Sequence, residues 1–185
     1  MVMIKYPRST IAALTLSAAG FAGIVLHEGY SNNAIIPVPG DVPTVGFGST
    51  AHEDGTPVRM GETIAPPKAV RLSVAHISKD EKGVRQCLGE TATLYQHEWD
   101  AYVSFAYNVG LRNFCSSSIP AKVRAGQYAE ACQVMGQYVC GPATQATRAK
   151  PGQKCYHPTR PLRVLQGLVN RRGEEVATCL GSEAK

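Results

Sequence analysis

The sequence predicts an α+β domain, mainly helical, with one small β-hairpin lobe and a weakly hydrophobic helix near its N-terminus. Three observations point there. An uncharged run, Ser9 to Leu26, leads directly into His27-Glu28-Gly29. Short β-prone runs broken by Pro39-Gly40-Asp41 follow it. Two later stretches, Val70 to Val84 and Trp99 to Asn108, space their apolar residues at a helical period. With 185 residues, 44% of them hydrophobic, the chain has material for one core and is too apolar to be disordered throughout.

The N-terminal run is eighteen residues long and follows Lys5 and Arg8. As a helix it would extend roughly 27 Å, against a bilayer core of about 30 Å. Small and hydroxylated residues outnumber the large apolar ones Ile11, Leu14, Leu16, Phe21, Ile24, Val25 and Leu26. Such residues contribute little transfer free energy, so the segment inserts but holds weakly. The preceding positive charges direct the N-terminus to the cytoplasm and the rest of the chain outward. Three fates fit: a cleaved signal peptide with a small-residue site at Ser17-Ala18-Ala19, a permanent anchor, or a weak anchor that leaves the membrane.

The next segment sets one acid, Glu28, at the end of an apolar helix and a second, Asp41, on the facing turn of a hairpin. Burial raises the pKa of a carboxylic acid, while a turn open to water leaves its partner ionised. Glycosidic cleavage uses two carboxyls in those two states, one to protonate the leaving oxygen and one to activate water or steady the sugar cation. A helix C-terminus followed by an ordinary turn explains the same residues without chemistry.

Further along, Pro66 and Pro67 suit the first turn of a helix whose apolar positions are Val70, Val74, Ile77 and Val84. The Trp99 to Asn108 stretch carries Tyr102, Val103, Ala106 and Tyr107 on one side and reads as the central buried helix, with Trp99 as core. Six cysteines, none in a C-x-x-C pair, argue for a disulfide framework and an oxidising compartment, and against a zinc ribbon or a thioredoxin-like site. No metal ligand set stands out, because His52, His76, His97 and His157 lack defensible spacing. The net charge of +5 suits an anionic partner. Nucleic acid is the poorer candidate, since recognised motifs and aromatic stacking platforms are missing.

Three ordered blocks carry a family resemblance. Glu28-Gly29 followed by Gly40, Thr44-Val45-Gly46-Phe47-Gly48 and Thr50 resembles the active-site signature of phage-type lysozymes, glycoside hydrolase family 24. Asp100-Ala101-Tyr102-Val103-Ser104-Phe105-Ala106-Tyr107-Asn108-Val109-Gly110 is similar to that family's central helix, and Gly167-Leu168-Val169-Asn170-Arg171-Arg172-Gly173-Glu174-Glu175 to its C-terminal helix. The resemblance implies a lysozyme-like fold whose β-hairpin lobe carries part of the active site. It also implies cleavage of the β-1,4 bond between N-acetylmuramic acid and N-acetylglucosamine in peptidoglycan, with no cofactor or metal, by a monomer.

Carried over residue by residue, Glu28 is the general acid, Thr44 the hydroxyl that helps hold water, and Asn108 a residue of the sugar groove or a helix-end cap. The family's second acid falls on Pro37 here, and the Gly40 to Thr44 interval is one residue longer than usual. A shifted turn lets Asp41 supply the missing carboxylate. Otherwise Glu28 acts alone, as in lytic transglycosylases, or the chain only binds wall.

The run abutting Glu28 resembles the signal-arrest-release endolysins, which wait in the inner membrane and are then freed into the periplasm. On that likeness residues 1–26, with the apolar run 9–26, form the membrane segment and 27–185 the catalytic domain. The anchor has no cysteine, which leaves topology as the means of control. From Cys140 to Arg172 there are seven basic residues and no acids. A Cys140 to Cys155 bridge would close the loop at the start of this stretch, worth about 3 kcal/mol in the chain-entropy picture. The stretch is either a solvated loop or a surface drawn to anionic wall polymers.

Overall fold

The computed structural model describes residues 7–37, 40–155 and 157–181. Lys5, expected to orient the N-terminus, lies outside the described residues, as does the rest of the 1–6 stretch.

The Ser9 to Leu26 run does not form one helix. Ser9–Thr10 is a short strand, β1, followed by a single 3-10 turn at Ile11–Ala13 and extended chain to Ser17; only then does helix α1 begin, at Ala18–Glu28. Breaking the helix frees backbone groups that need partners, and the rest of the domain supplies them. The Leu16 N–H donates to Glu81 at 2.7 Å. The N–H and hydroxyl of Ser17 donate to the Asp100 carboxylate at 2.9 and 2.6 Å, while the same hydroxyl accepts the Gly20 N–H at 3.0 Å as an N-cap. Arg85 donates to the carbonyls of Ile11 and Leu14 at 3.0 and 2.6 Å, and Gln96 to that of Thr15 at 2.8 Å.

The small residues of the run also have a use in this arrangement. A Cβ at Gly20 would lie 2.9 Å from Asp100 Cγ and 2.7 Å from Leu16 Cδ1, too close to fit without movement. Ile11, Leu14 and Ile24 are buried, whereas Leu26 stays 81% exposed.

After α1, strand β2 (Ser31–Ile35) pairs antiparallel with β3 (Thr44–Gly46), with a register shift between the Ser31–Gly46 and Ile35–Thr44 pairs. Ala34 and Val45 from this hairpin join Val58, Ile64, Ala69 and Leu72 in a small core. Helix α2 (Pro66–Leu88) then runs for 23 residues, roughly 35 Å, with proline in its first turn. Its first half gives Ala69 and Leu72 to the hairpin core, and its second half gives Ile77, Val84 and Leu88 to the larger one. The buried arc therefore shifts around the helix between its halves. That is why Val70 and Val74, which the sequence spacing puts on the apolar face, are 38% and 48% exposed.

Strand β4 (Thr93–Leu94) pairs with β1 and precedes α3 (Gln96–Val109), which is buried from Glu98 through Ala106 with Trp99 fully enclosed. Glu98 closes the start of α3 by accepting the Tyr95 N–H at 2.8 Å and pairs with Arg8 at 2.7 Å. Three short helices follow: α4 (Leu111–Ser116), α5 (Ile119–Arg124) and α6 (Tyr128–Val134). Strands β5 (Cys140–Pro142) and β6 (Leu162–Val164) pair antiparallel and flank the basic loop, and α7 (Gln166–Cys179) packs on α3. Three disulfides join Cys87 to Cys115, Cys132 to Cys179, and Cys140 to Cys155. They tie α2 to α4, α6 to α7, and the basic loop to its own base.

Removing the N-cap by Ser17→Ala is expected to cost about 1 kcal/mol. Asp100→Ala, which orphans the Ser17 N–H, should cost about 1–3 kcal/mol. Urea unfolding of the two variants beside the wild-type chain measures both.

Candidate active site

Glu28 is the last residue of α1, because Gly29 follows with φ 69° and turns the chain toward the hairpin. Its side chain is 22% exposed, and Oε1 lies 2.8 Å from Nη1 of Arg171 on α7. Its other oxygen, Oε2, faces Gly48, where a Cβ would stand 3.1 Å away on a backbone with φ +76°. Glycine at 48 therefore lets the loop after β3 pass directly over the carboxyl.

Behind Glu28 lies a buried charged network. Glu175 Oε1 takes Arg171 Nε at 3.2 Å, Arg172 Nη2 at 3.1 Å and the Ser104 hydroxyl at 3.0 Å. Arg172 Nε sits 2.9 Å from Glu175 Oε2, and its Nη2 also donates to the side-chain Oδ1 of Asn108 at 2.9 Å. Burial pushes the Glu175 carboxyl up, against the opposing pull of Arg172, Arg171 and the Ser104 hydroxyl. Burial likewise pushes Arg172 down, opposed by Glu175.

A cavity of about 380 Å³ opens in front of Glu28. Gly48, Thr50 and Ala51 of the loop after β3 form one wall, α2 contributes His76, Lys79 and Asp80, and α3 contributes Tyr107 and Asn108. The Tyr107 hydroxyl donates to the Phe47 carbonyl at 3.2 Å, and burial with the nearby carboxylates of Glu28 and Asp80 pushes it up to about 12. His76 is pushed down by burial and by neighbouring Lys79. Asp80 is pushed up to about 6 by burial. Among the described residues no cluster of His, Cys, Asp and Glu could hold a metal ion.

Of the residues singled out in the sequence, Glu28 and Asn108 line this cavity together. Asn108 also holds Arg172, so the base of the groove and the charged network share one side chain. Asp41 sits on the exposed turn of the hairpin, its carboxylate accepting the Val42 N–H at 2.8 Å. Thr44 opens β3 and donates to the Ile35 carbonyl at 3.4 Å. Neither is among the residues lining the cavity. Sequence reasoning missed Arg171 as the partner of Glu28, although its spacing of four from Glu175 is a helix-pair signal. It also missed Asp80, for which a charged residue on a long helix gave no cue.

The profile of the phage lysozyme family matches residues 26–175, from just before Glu28 through Glu175. The chain belongs to the phage lysozyme family. Its function is accordingly of the lysozyme type, the lysis of peptidoglycan. The SAR-endolysin of Pseudomonas phage phiKMV is 30% identical over 164 residues, 88% of this chain and 87% of its own. Among solved structures, the endolysin of Escherichia coli O157:H7 phage FAHEc1 superposes with a TM-score of 0.75 at 25% identity, covering 94% of this chain and 98% of that one. The muramidase domain of SpmX from Asticaccaulis excentricus superposes with a TM-score of 0.71 at 25% identity, covering 90% and 98%.

Glu175→Ala leaves buried Arg172 without a carboxylate and Arg171 with Glu28 alone, so a loss of about 3–5 kcal/mol is expected, readable as a lower urea midpoint.

Proposed function

We propose that the chain is an endolysin that hydrolyses the β-1,4 bond between N-acetylmuramic acid and N-acetylglucosamine. The observation that carries this reading is the setting of Glu28. Arg171 holds one carboxyl oxygen, and the other is turned under Gly48 at a cavity whose volume is in the range of small-ligand sites. Glu28 then acts as general acid on the leaving oxygen. Asp41 and Thr44, on the hairpin that follows α1, would position or activate water, and Asn108 binds sugar at the base of the groove. The muramidase name of one structural relative supports the choice of bond.

One observation favours a second reading. Because Asp41 is exposed and outside the cavity lining, Glu28 could act alone, with the 6-hydroxyl of the muramic acid attacking in place of water to give a 1,6-anhydro end. A chain that binds wall without cleaving it is the third possibility. In a murein zymogram the wild type should clear and Glu28→Gln should lose at least a hundredfold; equal clearing rejects a catalytic Glu28. The wild-type products should carry reducing ends, and anhydro ends would replace hydrolysis by transglycosylation.

The membrane stage belongs to the same proposal. Residues 9–26 first lie in the host inner membrane with the N-terminus in the cytoplasm, and after release the monomeric enzyme works in the periplasm. The name of the phiKMV relative supports this stage, as does the placement of Glu28 on the helix that ends the apolar run. Among the described residues no helix is long and apolar enough to cross a membrane. Carbonate extraction of expressing cells should find the chain in both membrane and soluble fractions, the soluble form keeping its N-terminus. A soluble form beginning near Gly20 would mean a cleaved signal instead.

A further inference from the structure

Seven acids among the described residues are not fully exposed: Glu28, Glu62, Asp80, Glu81, Glu98, Asp100 and Glu175. Six of them have partners. Glu28 pairs with Arg171, Glu62 with His52, Glu98 with Arg8, and Glu175 with both arginines. Glu81 accepts from Leu16 and Trp99, and Asp100 from Ser17 and Gln96. Asp80 has no hydrogen bond or ion pair among the described residues, yet it lines the cavity in front of Glu28. A partly buried carboxylate with no protein partner is free to accept hydrogen bonds from whatever fills the cleft.

The surroundings narrow what that filler is. His76 and Lys79 flank Asp80 on α2, and no nitrogen of either lies within ion-pairing distance. Glu28 lines the same cavity from α1, and Tyr107 and Asn108 from α3, while Arg171 of α7 is already held by Glu28 and Glu175. Glu28, Tyr107 and Asp80 line the same cavity, so the two carboxyls face one cleft from α1 and α2. We infer that Asp80 is a substrate-binding residue whose carboxylate accepts hydrogen bonds from the hydroxyl or acetamido N–H groups of the glycan. This rests on the peptidoglycan-cleaving reading above. Burial holds the Asp80 carboxyl at about 6 in the free enzyme, so at neutral pH it is largely ionised and able to accept.

The sign of the stability effect follows. A carboxyl raised in the folded state destabilises the fold above its unfolded value, with the penalty growing as pH rises from about 4 to 6 and absent below that window. Asp80→Asn should therefore unfold at a higher temperature than the wild type at pH 7.5, with the gap closing near pH 4.

The deciding experiment measures binding of chitohexaose, a peptide-free N-acetylglucosamine oligomer, by calorimetry, using Glu28→Gln and the double variant Glu28→Gln/Asp80→Asn. At pH 7.5 the second change should weaken binding about tenfold. The difference should shrink as pH falls through about 6, where Asp80 takes up a proton. Equal affinities at pH 7.5, or curves that stay parallel from pH 7.5 to 4.5, overturn the assignment. So does a loss seen only with peptide-bearing muropeptides, which would place Asp80 on the peptide. The underlying reading fails separately, if Glu28→Gln clears murein as well as the wild type.

Discussion

The structure depends on a carboxylate buried between two arginines. Glu175 receives Arg171 and Arg172 from its own helix and the Ser104 hydroxyl from α3, while the same arginines reach Glu28 on α1 and Asn108 on α3. Three helices distant in sequence are thereby fixed to one set of charges. In a low-dielectric setting such a network is stable only when nearly complete, since an unpaired buried charge costs far more than a pair contributes. Glu28 is therefore both the exposed end of this network and part of the cavity wall. Its orientation follows from α7 as much as from α1.

The second constraint is the bridging role of α2. It lends Ala69 and Leu72 to the hairpin core and Ile77, Val84 and Leu88 to the helical core. The cleft lies between the two cores, so residues midway along this helix face it without belonging to either. His76, Lys79 and Asp80 occupy that position. Asp80 has no protein partner among the described residues, and on the inferred role a stability cost at such a place is the ordinary consequence of keeping a site open for ligand.

The helices and the hairpin were legible in the sequence because period and turn chemistry are local. Pro66 starts α2, Gly29 ends α1 and the stretch from Trp99 is buried through Ala106 as a central helix. Glu28 and Asn108 were legible through family blocks, and both line the cleft. What could not be read was anything set by distant packing. Val70 and Val74 matched a helical spacing, but the shift of the buried arc between two cores left them exposed. Arg171 lies 143 residues from Glu28, and only the fold brings them to 2.8 Å. The break between Leu14 and Ser17 was hidden for the same reason, since its cause is Asp100, on a helix 83 residues away.

That break bears on how one segment could serve two solvents. In a bilayer an uninterrupted helix satisfies its own backbone, which is the condition for lying there at all. In the folded domain the same stretch is not helical from Leu14 to Ser17, and Glu81, Arg85, Gln96 and Asp100 supply partners to its backbone from α2 and α3. On the proposed membrane stage, such an exchange is possible because the segment is only weakly apolar. A Leu-rich anchor would gain too much from lipid to leave, and a side chain at Gly20 would block the approach of Asp100. On the proposed reading, docking the segment and placing Glu28 against Arg171 are one event, because both depend on where α1 begins and ends. On the same reading a chain held in lipid would keep Glu28 from Arg171, and Asp100 and Glu81 would then lack the backbone groups they bind in the folded domain. Release would then be favoured by polar groups on the folded domain as well as by weak attraction to the bilayer, so that reading requires the strength of the anchor and the acids that receive it to be matched.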